Sequence, residues 1–141
     1  MTVEETLVLV KPDGVARNLT GEILRRIEAK GYQLVDLRMI EASHELLTKH
    51  YEEHAGKPFF EPLVEFMESG PIVAVRVAGN RVIEGFRSLA GTTDPTTAAP
   101  GTIRGDLGRD WGAQVHQNIV HGSDSPQSSV REIGIWFPEL L

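Results

Sequence analysis

Four short apolar runs, each bounded by turn-forming residues, set the limits on what this chain can fold into. The first, Thr6-Leu7-Val8-Leu9-Val10, is continuous and rich in β-branched residues, and Pro12-Asp13-Gly14 closes it. Residues 33–41 carry Leu34, Val35, Leu37, Met39 and Ile40; residues 72–77 form a third run; Asn118-Ile119-Val120-His121 forms a fourth, with a polar residue at each end. Runs of this kind are strands of a covered sheet. Between them the apolar spacing becomes helical, as at Ile23, Leu24 and Ile27 within residues 21–30, with Gly31 as the expected C-cap. Ser43 opens a helical segment toward Tyr51, Gly56-Lys57-Pro58 breaks it, and Leu63, Val64, Phe66 and Met67 mark another that Gly70-Pro71 stops. Asn80 is the expected N-cap of residues 81–89, and Ser125 that of a helix from Pro126 to Trp136. Residues 91–105, rich in Gly, Pro and Thr, read as a long loop, and loops of that length in compact domains are often functional. The expectation is a single domain over residues 1–141, with four strands in one sheet covered by helices: an α/β or α+β sandwich.

Charge narrows the function. A net charge of −6 argues against nucleic acid as the partner, because binding by phosphate neutralisation needs a basic face. A small phosphorylated ligand stays open, since a few local cations outweigh a distant negative surface. The absence of cysteine excludes disulfides, thiolate catalysis and cysteine metal sites, and fits a reducing compartment. The run Leu7-Val8-Leu9-Val10 is too short for a signal sequence, and no stretch approaches the ~20 apolar residues of a membrane span. No membrane association and a cytoplasmic location are expected.

The chemistry centres on His121, where the fourth run breaks into Gly122-Ser123-Asp124-Ser125 ahead of a helix N-terminus, whose unpaired N–H groups favour anions. A histidine beside an anion site is a candidate nucleophile; the alternative is a polar turn residue. Glu132 in the last helix could accept a hydrogen bond from one imidazole nitrogen, fixing the tautomer and leaving the other to attack, or be a solvated helical glutamate. Neither G-x-x-x-x-G-K-[ST] nor a G-x-G-x-x-G after a strand is present, so a phosphate would be gripped by Lys11, Arg87 and Arg104, with Thr93 as a hydroxyl donor. His50-Tyr51-Glu52-Glu53-His54 matches H-x-x-E-H, the pattern of a zinc hydrolase. A third ligand would have to come from His44, His116, His121 or a carboxylate, and a solvated histidine-rich helix end is the favoured reading, with a ligand contact at Tyr51 as another. Phe59 and Phe60 point about 100° apart in a helix, so one can enter the core while the other faces a flat base. Ser123, Asp124 and His121 name the residue types of a triad, but their adjacency and the lack of a nucleophile elbow argue against one.

These residues sit in a series of motifs: Lys11-Pro12-Asp13-Gly14, His50-Tyr51, Lys57-Pro58-Phe59-Phe60, Ser69-Gly70-Pro71, Thr93-Asp94-Pro95, Pro100-Gly101-Thr102-Ile103-Arg104-Gly105-Asp106, and Asn118 through Ser125. In order and over nearly its whole length, the chain resembles the nucleoside diphosphate kinase family. The resemblance implies a ferredoxin-like sandwich with a four-stranded antiparallel sheet, and Mg²⁺-assisted exchange of the terminal phosphate between nucleoside triphosphates and diphosphates. It implies that His121 is the phosphorylated nucleophile, supported by Ser123 and Glu132. Lys11 and Asn118 would contact the sugar hydroxyls and the phosphate region. Tyr51, Arg87, Thr93 and Arg104 would hold phosphates, and Phe59 would stack on the base. Mg²⁺ would ride on nucleotide phosphates and water rather than in a protein cage. A homo-oligomer is implied, a hexamer before a tetramer, with residues 91–105 resembling a loop at subunit contacts. The segment between Arg104 and Asn118 is several residues longer than the family pattern, leaving open the path of residues 107–113 and whether Trp111 covers new surface or an altered subunit contact. The other functional readings are a catalytically silent nucleotide-binding or scaffold protein, and a zinc hydrolase using His50 and His54.

Overall fold

A computed structural model describes residues 3–113, 115 and 117–140. The chain order is β1 (Glu5–Val10), α1 (Pro12–Ala16), α2 (Thr20–Ala29), β2 (Gln33–Ile40), α3 (His44–His50), α4 (Phe60–Met67), β3 (Ile72–Ala78), α5 (Val82–Ala90), α6 (Ile103–Leu107), β4 (Val120–Gly122) and α7 (Pro126–Trp136), with short 3₁₀ turns at Glu52–His54 and Pro138–Leu140. The four strands form one antiparallel sheet in the order β2-β3-β1-β4, the expected ferredoxin-like sandwich.

The continuous apolar character of β1 follows from its central place, buried on both faces. Val8 and Val10 point with Val73, Val75 and Val77 into a layer closed by Ile23, Ile27, Val82, Phe86 and Ile103. Leu7 and Leu9 point the other way, with Ile72 and Ala74, against Leu47, Phe60, Val64, Met67 and Trp136. Fully burying one such side chain stabilises by roughly 1.5–3 kcal/mol, so β1 organises both layers. Strand pairing then fixes the site. Leu9 lies opposite His121, which puts His121 on the Leu9 face beside α3 and α7. Val8 lies opposite Gly122, on the α5 face, where a Cβ at 122 would come within 2.6 Å of Phe86 Cδ2. Glycine is therefore required immediately after the histidine.

Two expected caps are present: the Ser43 side chain accepts from Leu46 N at 3.1 Å, and that of Ser125 from Ser128 N at 3.1 Å. Four expectations are corrected. The Pro12-Asp13-Gly14 turn begins a short helix, α1, because proline at N1 already has helical φ. Asn80 is not the cap of α5: Arg81 occupies that position at φ 54°, and the carboxylate of Glu4 accepts the Ile83 N–H at 3.0 Å, a contact distant in sequence. The loop after residue 91 ends in α6, capped by Thr102, whose hydroxyl accepts from Gly105 N at 2.9 Å. The fourth strand starts at Val120 rather than Asn118, because the backbone turns at Ile119. The long segment after α6 runs against the end of α1: Arg17 Nη1 donates to Leu107 O at 2.8 Å, and Trp111 lies beside the guanidinium groups of Arg17 and Arg109.

Candidate active site

At the β4 edge of the sheet, reached from both faces, lies a cavity of about 1010 Å³ between β4, α3, α5 and the loop ahead of α6. His121 opens onto it from β4. Its Nε2 is 2.9 Å from Glu132 Oε1 in α7, and the Ser123 hydroxyl donates to the same oxygen at 2.7 Å while accepting the Leu7 N–H at 3.2 Å. An ionised carboxylate only accepts, so the proton lies on Nε2 of His121 and the lone pair on Nδ1. Burial pushes the Glu132 pKa up, but the hydrogen bonds and charge from His121, with help from Ser123 and Arg131, outweigh it and hold the carboxyl below its usual range. Helix α7 is fixed on the sheet by Ser129 Oγ donating to Glu5 O at 2.6 Å, so Glu132 is placed by the same strand that places His121.

Upstream of His121 the chain makes a tight three-residue turn. Val120 N donates to Asn118 O at 2.8 Å, and Ile119 has φ 75°, a left-handed conformation rare for a β-branched residue. Both peptide groups of Ile119 are held: its N–H by Asp13 Oδ2 at 3.1 Å, its carbonyl by Lys11 N at 2.7 Å. The turn aligns two carbonyls for Arg104, which donates from Nε to Asn118 O at 3.1 Å and from Nη2 to Val120 O at 2.6 Å, while Nη1 reaches Gly91 O at 2.9 Å. Lys11 Nζ donates to Asn118 Oδ1 at 2.8 Å, and Asn118 Nδ2 to Thr93 O at 3.0 Å.

These contacts crowd positive charge. Burial first, then Arg104, pushes Lys11 down to about 8, against an opposing pull from Asp13. Burial first, then Arg87, pushes Arg104 down to about 10. An anion in the cavity would relieve that repulsion. Asp13, placed in α1 just after β1, has its pKa raised by burial despite Lys11. Tyr51 is buried at the end of α3, and burial followed by the Glu132 charge keeps its phenol protonated.

Lys11, Tyr51, Arg87, Thr93, Arg104, Asn118, His121 and Glu132 all line the cavity. Ser123 stands behind Glu132, fully buried. Phe60 is in the core and Phe59 is exposed, outside the lining and 5.3 Å from the ring of His54, which does line the cavity. The expected solvated helix end at His50 is corrected: its side chain is 3 % exposed, because α7 packs over it. Among the described residues the grouping able to hold a metal is His50, His121 and Glu132, which omits His54. There His50 Nδ1 is taken by Trp136 and the Glu132 carboxylate by His121 and Ser123. His116 lies outside the described residues. Residues 107–113 do not line the cavity. By local pattern Asp13 reads as a turn residue and Trp136 as the end of the last helix; both act through partners more than eighty positions away, for which local pattern carries no signal.

Residues 4–140 match the family described as nucleoside diphosphate kinase. The chain belongs to the nucleoside diphosphate kinase family. It is 58% identical over 138 residues to the nucleoside diphosphate kinase of Thermobifida fusca, covering 98% of this chain and 99% of that one. The Nocardia farcinica enzyme of the same name is 57% identical over 138 residues, covering 97% and 96%. Among solved structures, a halophilic nucleoside diphosphate kinase from Halobacterium salinarum in complex with CDP superposes with a TM-score of 0.91 at 44% identity, covering 96% of this chain and 88% of that one. A family protein from Babesia bovis gives 0.90 at 42% identity, covering 96% and 90%. The activity that goes with the family is phosphotransfer, and nothing in these likenesses speaks for zinc hydrolysis or a silent scaffold.

Proposed function

We propose that the chain exchanges the terminal phosphoryl group between nucleoside triphosphates and diphosphates through a phosphohistidine on Nδ1 of His121. The observation that carries this is the Nε2 hydrogen bond to Glu132, which leaves Nδ1 as the nucleophilic nitrogen in a cavity lined by Lys11, Arg87 and Arg104. The Nδ1 lone pair attacks the terminal phosphorus and the bond to the bridging oxygen breaks, releasing the diphosphate. The imidazole, now bearing positive charge and phosphate, keeps its Nε2 proton on Glu132, and the charge of Glu132 stabilises it. In the return step a terminal phosphate oxygen of the acceptor attacks the phosphorus, and the N–P bond breaks to restore the lone pair. No net proton is transferred. One site serves both half-reactions, so ping-pong kinetics follow.

Lys11, Arg87, Arg104, Thr93 and Tyr51 hold the phosphates, Lys11 and Asn118 also reach the sugar, and Phe59 offers a ring at the rim for the base. The CDP in the halobacterial relative supports a nucleotide in this cavity. A cation-lined cavity fits Mg²⁺ carried on the phosphates, where it would neutralise charge. Arg104 already spends N–H groups on three carbonyls, so it contributes to phosphate binding through its remaining donors and as a strut. We place the protein in the cytoplasm as a homo-oligomer, a hexamer before a tetramer. The acidic charge argues against nucleic acid, and no described helix is long and apolar enough to cross a membrane. Incubation with ATP labelled at the terminal phosphate tests the mechanism: acid-labile label should appear on the protein and pass to GDP. Acid-stable label, or none, would contradict it.

A further inference from the structure

His50 is a buried titratable group that the phosphoryl transfer above leaves unused. Its Nδ1 accepts the indole N–H of Trp136 at 3.0 Å, a buried hydrogen bond between α3 and α7. An indole nitrogen can only donate, so Nδ1 must keep its lone pair and the single ring proton must sit on Nε2. Protonating Nδ1 would set two donors against each other and bury a charge. The ring stands edge-on to His121, with centroids 4.8 Å apart and planes at 74°. The Tyr51 ring also packs edge-on to the His50 ring, with centroids 4.5 Å apart, and Arg131 donates to the His50 carbonyl at 3.3 Å, which holds the backbone that carries the ring.

We propose that His50 is a positioning residue for the nucleophile: held by Trp136 as the neutral tautomer with its proton on Nε2, it forms an uncharged wall against the ring of His121. This rests on His121 being the phosphorylated group. The wall limits rotation of the His121 ring, keeping Nε2 on Glu132 and Nδ1 toward the cavity. Its neutrality keeps a second imidazolium away from the nitrogen that must carry the phosphoryl group in each half-reaction. The charged and titratable groups around His50 are His121 from β4, Glu132 and Arg131 from α7, Lys11 after β1, and His54 with Tyr51 after α3. Burial first, then the positive groups among these, drives its pKa well below the ordinary histidine value, in the direction the Trp136 bond demands.

Nitrogen-15 NMR of the histidine rings in the full-length enzyme reads the tautomer directly, with His50→Ala assigning the signal. The His50 ring should show its proton on Nε2 and hold constant between about pH 5 and 8. A proton on Nδ1, or titration in that range, overturns the proposal. Trp136→Phe removes the donor, and its kcat/KM profile should gain an acid-side ionisation; activity lowered equally at every pH would show a merely structural tryptophan and overturn it. If that variant does not fold, His50→Ala decides: kcat should fall about tenfold with KM held, as expected for a misoriented nucleophile, and His50→Phe should recover part by restoring a flat ring. An unaltered kcat in His50→Ala contradicts the role. Wild-type enzyme that takes no label on His121 would instead overturn the mechanism on which this inference rests.

Discussion

At the scale of single residues the site works by assigning each hydrogen bond to an obligate donor or acceptor. Glu132 is held below the usual carboxylate range and takes Nε2 of His121, which leaves Nδ1 as the nitrogen proposed to react. Glu132→Gln keeps the shape but removes the charge that stabilises the phosphorylated imidazole, so kcat should fall by about 10²-fold with a smaller change in KM, measured by steady-state kinetics with ATP and a diphosphate acceptor. Lys11 supplies a pH dependence. Its folded pKa of about 8 lies below the ordinary 10.5, so the charged lysine costs stability at neutral pH, and that cost disappears as pH rises through about 8 toward 10.5. Function runs the opposite way. The Lys11 charge proposed to grip phosphate is lost above about 8, so KM for the nucleotide should rise there, and Lys11→Met should abolish that dependence along with most of the affinity. Lys11 and His121 at strand ends and Arg104 in the long loop stand out in the sequence as candidates because their types match phosphate chemistry, whereas the supporting role of Glu132, inside the last helix, is implied by the family motifs. His50 was not legible in this way, since H-x-x-E-H spacing says nothing about a tryptophan arriving from α7 to bury it.

Among elements, the connection from β1 into α1 and the turn entering β4 behave as one unit. Asp13 and Lys11 hold the strained Ile119, and the carbonyls flanking that turn hold Arg104. Asp13→Ala leaves a buried N–H without an acceptor and should destabilise by about 1–3 kcal/mol in denaturant unfolding, with activity reduced as well; Asp13→Asn, which keeps an acceptor, should recover most of the stability. The long loop is tied down by a similar link: Arg26 of α2 pairs with Asp106 at 2.9 Å, and Asp106 accepts from Gly101 N at 2.8 Å. Caps at Ser43 and Ser125 could be anticipated because the bond is local. The cap of α5 by Glu4 and the left-handed Ile119 could not, because each is imposed by a chain segment remote in sequence.

Across the whole molecule, the four apolar runs correspond to the four strands of the sheet, with β1 buried on both faces, while the strand order β2-β3-β1-β4 comes from long-range pairing that local pattern does not carry. Strand β2 is one edge of the sheet and leaves Val35, Leu37 and Met39 exposed, apolar surface consistent with the proposed homo-oligomer. Light scattering coupled to size exclusion should give the mass of a hexamer of the 15.5 kDa chain, and a monomer would refute assembly. Phosphorus-31 and nitrogen-15 NMR of the enzyme after exposure to ATP should place the phosphoryl group on Nδ1 of His121, with the signal discharged by GDP; phosphorus on Nε2, or on no histidine, would contradict the account.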